Sequence, residues 1–130
     1  MRKRLLSLLF LSLYGSMLFA QEPLDINDVE RVPLGDFTYQ WRNIYDRTPL
    51  HGKCRIILSY RSYTIAHFNK DGILDGLYEK YEDNHLVQKL TYVKGILRGK
   101  GYEYYTDGTV KKECVWNEQG KIDGLMIEYN

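Results

Sequence analysis

Three pairs of glycines, the members of each pair four residues apart, punctuate the second half of the chain at Gly72/Gly76, Gly95/Gly99 and Gly120/Gly124. Equivalent glycines are 23 residues apart at the first step and 25 at the second, and each second glycine is followed five residues later by a tyrosine: Tyr81, Tyr104 and Tyr129. Working backwards, Gly52 precedes Gly76 by 24, with Ile57 in the tyrosine position and Thr48 where the first glycine of the pair would stand. A period of this size marks small units that cannot bury a core alone and must stack on their neighbours. That requirement, more than any single residue, restricts the fold.

Inside a unit the pattern has period two. In "GKGYEYYTDGTVKKECVW", Tyr102 and Tyr104 share one side, and Val110, Lys112, Cys114 and Trp116 recur at alternate positions beyond Asp107-Gly108. Asp-Gly between two alternating runs predicts a hairpin whose two turn residues both take positive φ. Asn84-His85 takes the same place one unit earlier, since asparagine tolerates the left-handed region. Each unit therefore reads strand, tight turn, strand, and then a Gly-x-x-x-Gly connector whose glycines grant backbone freedom. The fold class expected is all-β: one elongated, twisted antiparallel meander of roughly eight strands.

These residues carry a family resemblance. "GILDGLYEKYEDN", "GILRGKGYEYYTDG" and "GKIDGLMIEY" resemble the bacterial variant of the MORN repeat, which runs Gly-Lys-x-[Asp/His]-Gly, a few strand residues ending in Tyr, then an Asn/Asp-Gly turn. The likeness covers Thr48 to Asn130, most specifically Gly72 to Tyr129; His85, Ile73, Ile96 and Thr48 depart from the pattern. It implies consecutive hairpins in an elongated sheet and no catalytic residues. Similar proteins are often described as antitoxins of toxin–antitoxin modules.

Ahead of the repeats, residues 1–20 combine the basic start "MRKR" with the uncharged run Leu5–Ala20, as a secretory signal peptide does. Leu18 is bulky for its place before the cut, which keeps an uncleaved anchor as the alternative. The expected domain organisation is a signal peptide at 1–20, a leader and capping strand at 21–47, and the repeat domain at 48–130. Gln21 to Gly35 reads as a polar, disordered leader, and Phe37 to Tyr45 as the second strand of an eroded leading unit. Export to the periplasm or beyond follows from cleavage near Ala20. The last unit has only its first strand, so its edge offers pairing to a partner or a second copy.

Charge excludes one class of partner. Of 18 basic residues, Arg2, Lys3 and Arg4 leave with the signal, so 15 face 17 acids, a net of −2. The bases are scattered among acids, which is not the clustered positive face that nucleic acid requires. A polybasic attraction to membrane surfaces is missing for the same reason.

Candidate chemistry is sparse. Cys54 and Cys114 are an even pair in an exported chain, which suggests a disulfide. Five strand steps of ~4.8 Å across an open sheet hold them far beyond the ~7 Å limit between Cα atoms, so two packed free thiols are expected unless the sheet curls into a closed barrel. His51 and Cys54 make only half a zinc site, and Cys54 with His67 lacks an orienting group and an oxyanion site. "DINDVE" lacks the glycine of a calcium loop. No catalytic, metal or cofactor-binding residues are therefore assigned.

The compositional oddity is tyrosine: 12 in all, 11 of them beyond the signal. Tyr78, Tyr81, Tyr102, Tyr104, Trp116 and Tyr129 are the expected contact residues, because Tyr and Trp dominate binding hot spots. The function expected is a non-catalytic repeat scaffold that binds another protein in the cell envelope, with neutralisation of a toxin as a specific version. The alternative is a carbohydrate- or lipid-binding module using the aromatic sheet face.

Overall fold

The computed structural model describes residues 22–35, 37–123 and 126–129, so the signal segment and Gly124 lie outside the described residues. The structure is built of strands: β1 (Leu24–Asp25), β2 (Val29–Gly35), β3 (Thr38–Asn43), β4 (Gly52–Ser59), β5 (Ser62–Phe68), β6 (Leu74–Glu82), β7 (His85–Val93), β8 (Ile96–Leu97), β9 (Gly99–Tyr104), β10 (Val110–Trp116) and β11 (Ile127–Glu128). The main sheet runs β1-β4-β5-β6-β7-β9-β10-β11, with β8 beside β7, and β2 and β3 form a second, two-stranded sheet. From β4 onward it is the antiparallel meander that the repeats predict.

The departures lie at its start. The segment read as a disordered leader is ordered: β1 pairs in parallel with β4, Leu24 against Ile56 and Asp25 against Ile57. A 3-10 turn, capped by the Asp25 carboxylate accepting from Asn27 N at 2.8 Å, leads into β2. Strand β3 is the expected capping strand, but it pairs with β2 instead of joining the meander. Its place on the edge of β4 is taken by β1. The sheet is consequently mixed, not purely antiparallel.

The joints explain the glycines. At the β5–β6 joint, the Asn69 side chain accepts from the backbone N–H of Asp71 at 2.9 Å and of Ile73 at 3.1 Å, and Gly72 sits at φ 76°. The joint after β10 repeats it: Asn117 accepts from Gln119 at 2.9 Å and Lys121 at 3.1 Å, with Gly120 at φ 75°. Between β7 and β8 a tighter two-residue turn, Lys94-Gly95, replaces this loop, which accounts for the shorter 23-residue step. Successive joints stack. A Cβ on Gly95 would stand 3.0 Å from the Ile73 methyl, and one on Gly120 would stand 2.4 Å from the Ile96 methyl. Ile73 and Ile96 are thus packed under the next joint. We expect Asn69→Ala to cost about 1–2 kcal/mol, because two backbone donors lose their acceptor; chemical denaturation measures it.

The degenerate first joint follows the same plan with one residue more. Asn43 accepts from Tyr45 N at 2.8 Å, Asn43 N donates to the Thr48 carbonyl at 2.9 Å, and Arg47 takes the left-handed position at φ 63°. The first-glycine position therefore belongs to Arg47, not Thr48. Two turns also differ from expectation. The β6–β7 turn is Asp83-Asn84 (φ 49° and 63°), and His85 already pairs with Glu82 in the ladder. At the β9–β10 turn only Gly108 has positive φ, because Tyr105 to Thr109 form a longer loop in which the Asp107 carboxylate accepts from Thr109 N and Oγ1.

The core occupies one face of the sheet, the front. Cys54 and Ile56 of β4, Thr64, Ala66 and Phe68 of β5, and Leu74 of β6 are buried there with Leu50. The β2–β3 hairpin packs over this half of the front face. Its Trp41 ring lies 5.5 Å from Phe68, and Arg31 spans the Tyr39 and Trp41 rings at 5.5 and 5.4 Å. Folding over the sheet lets Val29 and Trp41 remove apolar area from water, which is the main gain available to a chain this small. The hairpin covers the front of β4 to β7. It does not reach β9 and β10.

Candidate binding surfaces

The strand parity divides the six expected contact residues between two faces. Tyr78 and Tyr81 are three apart on one strand and so point oppositely. Tyr78 pairs with Ala66 and faces the core, edge-on to Tyr92 at 5.9 Å, so it is a packing residue and not a surface contact. Burial pushes the hydroxyls of Tyr78 and Tyr92 above their ordinary value, with a bond to Thr64 opposing it at Tyr78 and the neighbouring Tyr78 adding to it at Tyr92. A raised folded value means stability that is complete below the unfolded value of about 10 and is lost as pH climbs through the folded one. Alkaline unfolding should therefore begin above pH ~10 and shift upward in Tyr92→Phe, as tyrosinate absorbance would record.

Tyr81, Tyr102 and Tyr104 lie on the opposite face, the back. The Tyr63 ring stacks on Tyr81 at 4.9 Å and 13°, and the Arg55 guanidinium lies 4.2 Å from its centre. Because β4 and β6 flank β5 on opposite sides, Arg55 and Tyr81 sandwich the Tyr63 ring. Tyr102 and Tyr104 stack along β9 at 6.0 Å. Glu79 sits between the two aromatic pairs. Burial raises the hydroxyl of Tyr81, and the Glu79 charge and hydrogen bond raise it further. Burial also raises that of Tyr104, with Tyr102 and Glu79 adding to it. Cross-strand register places Glu79 opposite Lys89, and Lys89 opposite Tyr102. The back face is thus a half-buried aromatic band crossed by alternating charges.

Trp116 belongs to the front face. With Leu90, Leu97, Gly101, Cys114, Ile122 and Met126 it lines a mostly apolar trough of about 250 Å³, which Tyr102 and Lys112 also border and to which the hairpin contributes no lining residue. A Cβ on Gly101 would fall 2.5 Å from the Trp116 ring and 2.8 Å from Leu90, so this strand glycine makes room for the indole. The trough adjoins a polar cleft of about 450 Å³ that includes Lys80, Glu82, Glu103, Tyr105 and Lys111. Gln88 and Glu103 line both. Beneath them β7 pairs with β9 at Gln88–Glu103 and Lys89–Tyr102, and the seam continues through Arg98 N donating to the Thr91 carbonyl at 2.9 Å and the β7–β8 pairs Tyr92–Leu97 and Val93–Ile96. Tyr129 stands at the terminal edge, where its carbonyl accepts from the Tyr105 hydroxyl at 2.6 Å.

The remaining candidates do not converge. Cys54 and Cys114 sit on β4 and β10, five steps apart in the strand order, and both are buried. Cys54 points to the front while His67, opposite Lys53, points to the back with Nδ1 3.0 Å from the Leu77 carbonyl. Burial pushes the Cys54 thiol up, with its bond to the His51 carbonyl opposing. Among the described residues no three His, Cys, Asp or Glu side chains gather as metal ligands. Nor is any described helix long and apolar enough to cross a membrane.

No protein-family model matches the chain, and no curated protein matches it. Among solved structures, the crystal structure of TarM is similar over 73% of this chain and 18% of that chain, at 14% identity and a TM-score of 0.41. A point mutant of S. aureus TarM in complex with Fondaparinux, alpha-GlcNAc-glycerol and UDP is similar over 73% and 16%, at 13% identity and a TM-score of 0.29. The chain spans less than a fifth of either TarM chain. Likeness at this level defines neither a shared family nor a shared chemistry.

Asn69, Asn117, Tyr63 and Glu79 were missed by sequence reasoning. The asparagines had a visible signal, each standing three residues before the first glycine of a pair. Glu79 had one too, two residues before Tyr81 and so on its face.

Proposed function

We propose that the protein is a non-catalytic, MORN-like repeat scaffold of the cell envelope that binds another protein through the back face of its sheet. The observation that carries this reading is the band of stacked, half-buried Tyr63, Tyr81, Tyr102 and Tyr104 on the back face. Tyrosines pre-ordered by stacking lose little freedom on docking, and the interleaved Arg55, Glu79 and Lys89 give register and selectivity. A protein surface fits this band better than a sugar does. Stacking on a pyranose needs an open ring face, and both faces of Tyr63 are already occupied. Neutralisation of a toxin by occlusion is the specific version of this reading, and the edge at β11 offers a second copy a place to pair.

The test is capture from envelope extract on immobilised protein, compared between the native chain and Tyr81→Ala/Tyr104→Ala. The reading expects a partner that the double variant loses by at least tenfold, with the fold intact by circular dichroism. Equal capture by both, or capture of glycan and no protein, would overturn it.

A further inference from the structure

The front of the sheet carries an exposed apolar projection and a mostly apolar recess side by side. Strand β3 crosses the stacked joints in order: Trp41 N donates to the Gly72 carbonyl at 2.7 Å, and a Cβ on Gly95 would stand 3.0 Å from the Thr38 methyl. The hairpin reverses there, at Gly35 and Phe37, one joint short of Gly120, whose nearest neighbours are Ile96 and Leu97. Beyond that point the trough of Leu90, Leu97, Trp116, Ile122 and Met126 opens. Phe37 at the tip is 95% exposed, more than any other large apolar side chain among the described residues, and Leu34 on the same tip is 52% exposed. Phe37 also holds φ 68°, a left-handed backbone that a bulky residue adopts only with strain. Strain at a ring left in water stabilises nothing in the single chain. We infer that the protein forms a two-fold dimer in which Phe37 and Leu34 of each copy fill the trough of the other.

Tip and trough lie next to each other on one face, as a two-fold axis requires: seating one tip in the partner's trough brings the partner's tip to the first trough. The recess continues the groove that the hairpin fills over β4 to β7, so a second hairpin tip meets the same kind of apolar wall there. The flexible Met126 and Leu90 chains can close around a ring. Lys112 at the border pairs in register with Glu103 on β9 and Glu128 on β11. Carboxylates on both neighbouring strands thus counter its charge, and the occupant needs none of its own. Two rings, two leucines and the walls they meet bury on the order of 1,000 Å². That is the low end for a specific interface, so a dissociation constant on the order of ten micromolar is expected.

Sedimentation velocity of the protein over a concentration series measures the association. Phe37→Asn removes the ring and relieves the backbone, since asparagine tolerates the left-handed region. This variant should stay folded by circular dichroism and dimerise at least about thirtyfold more weakly. Ile122→Lys, at the exposed rim of the trough, should weaken the dimer in the same way. Mixed together, the two variants should associate more tightly than either does alone, because their heterodimer joins one intact tip to one intact trough. Tyr102 borders the trough and also belongs to the back-face band. Both variants leave it in place, so loss of self-association and loss of partner capture are read apart. Tyr81→Ala should not change the dimer. A monomer at every concentration, association indifferent to Phe37→Asn (as pairing through the β11 edge would be), sensitivity to Tyr81→Ala, or no gain on mixing would overturn the assignment.

Discussion

Gly72→Ala should lower the stability of the fold by about 3 kcal/mol, whereas Gly99→Ala should cost only about 1 kcal/mol. Both residues have nearly the same left-handed backbone, φ 76° and 73°. They differ in what surrounds them. A Cβ at Gly72 would stand 2.5 Å from the Trp41 carbonyl oxygen, which is backbone and cannot swing aside, with the Pro49 Cβ 3.1 Å away. The Gly72 carbonyl also accepts from Trp41 N at 2.7 Å, so any shift that relieves the clash breaks the bond joining the β2–β3 hairpin to the first full joint. At Gly99 nothing lies within 4 Å, and only the conformational strain remains. Denaturant midpoints of the two variants measure the difference directly. Equal losses would mean that the joint is not seated against β3.

The second large effect is expected at Trp41. Its ring closes the core over Phe68 and carries Arg31 on its other contacts, so Trp41→Ala removes the main apolar contact between hairpin and sheet. A loss of about 3 kcal/mol is expected, at the lower end for deletion of a large aromatic because the site is only half-buried. A local consequence distinguishes this from general damage. Amide exchange should accelerate in β2 and β3 more than in β9 and β10, which the hairpin does not touch. Uniform acceleration would place the hairpin's contribution elsewhere.

The repeat made most of this architecture legible. Glycine spacing gave the joints, and the alternation of β4 and β5 is visible from Lys53-Cys54-Arg55-Ile56 onward. Even the tyrosine position has a meaning: Ile57, Tyr81 and Tyr104 all lie on the back face, because five residues past the second glycine fixes strand parity. The same parity argument would have removed Tyr78 and Trp116 from a single aromatic row. What could not be read was tertiary. Leu24-Asp25 carries no strand signal of its own and becomes one by lying against the edge of β4. Similarly, nothing local says that β3 folds over the front face in place of extending the ladder. Local alternation specifies a strand, but its neighbour is chosen by the competition to cover Ile56, Ala66 and Phe68.

The candidate sites divide in the same way. The back-face tyrosines were legible because they repeat. The trough was not, because it exists only where the covering hairpin stops short, a boundary set by the length of β2 and β3 and by the seat of Trp41.

The division of the sheet into one capped and one bare face is most directly tested by a nuclear Overhauser spectrum of the folded protein. Cross-peaks are expected between the rings of Trp41 and Phe68, between those of Tyr63 and Tyr81, and between Gly95 Hα and an Ile73 methyl. A cross-peak from Trp41 to Tyr63, or loss of the Gly95–Ile73 contact, would contradict it.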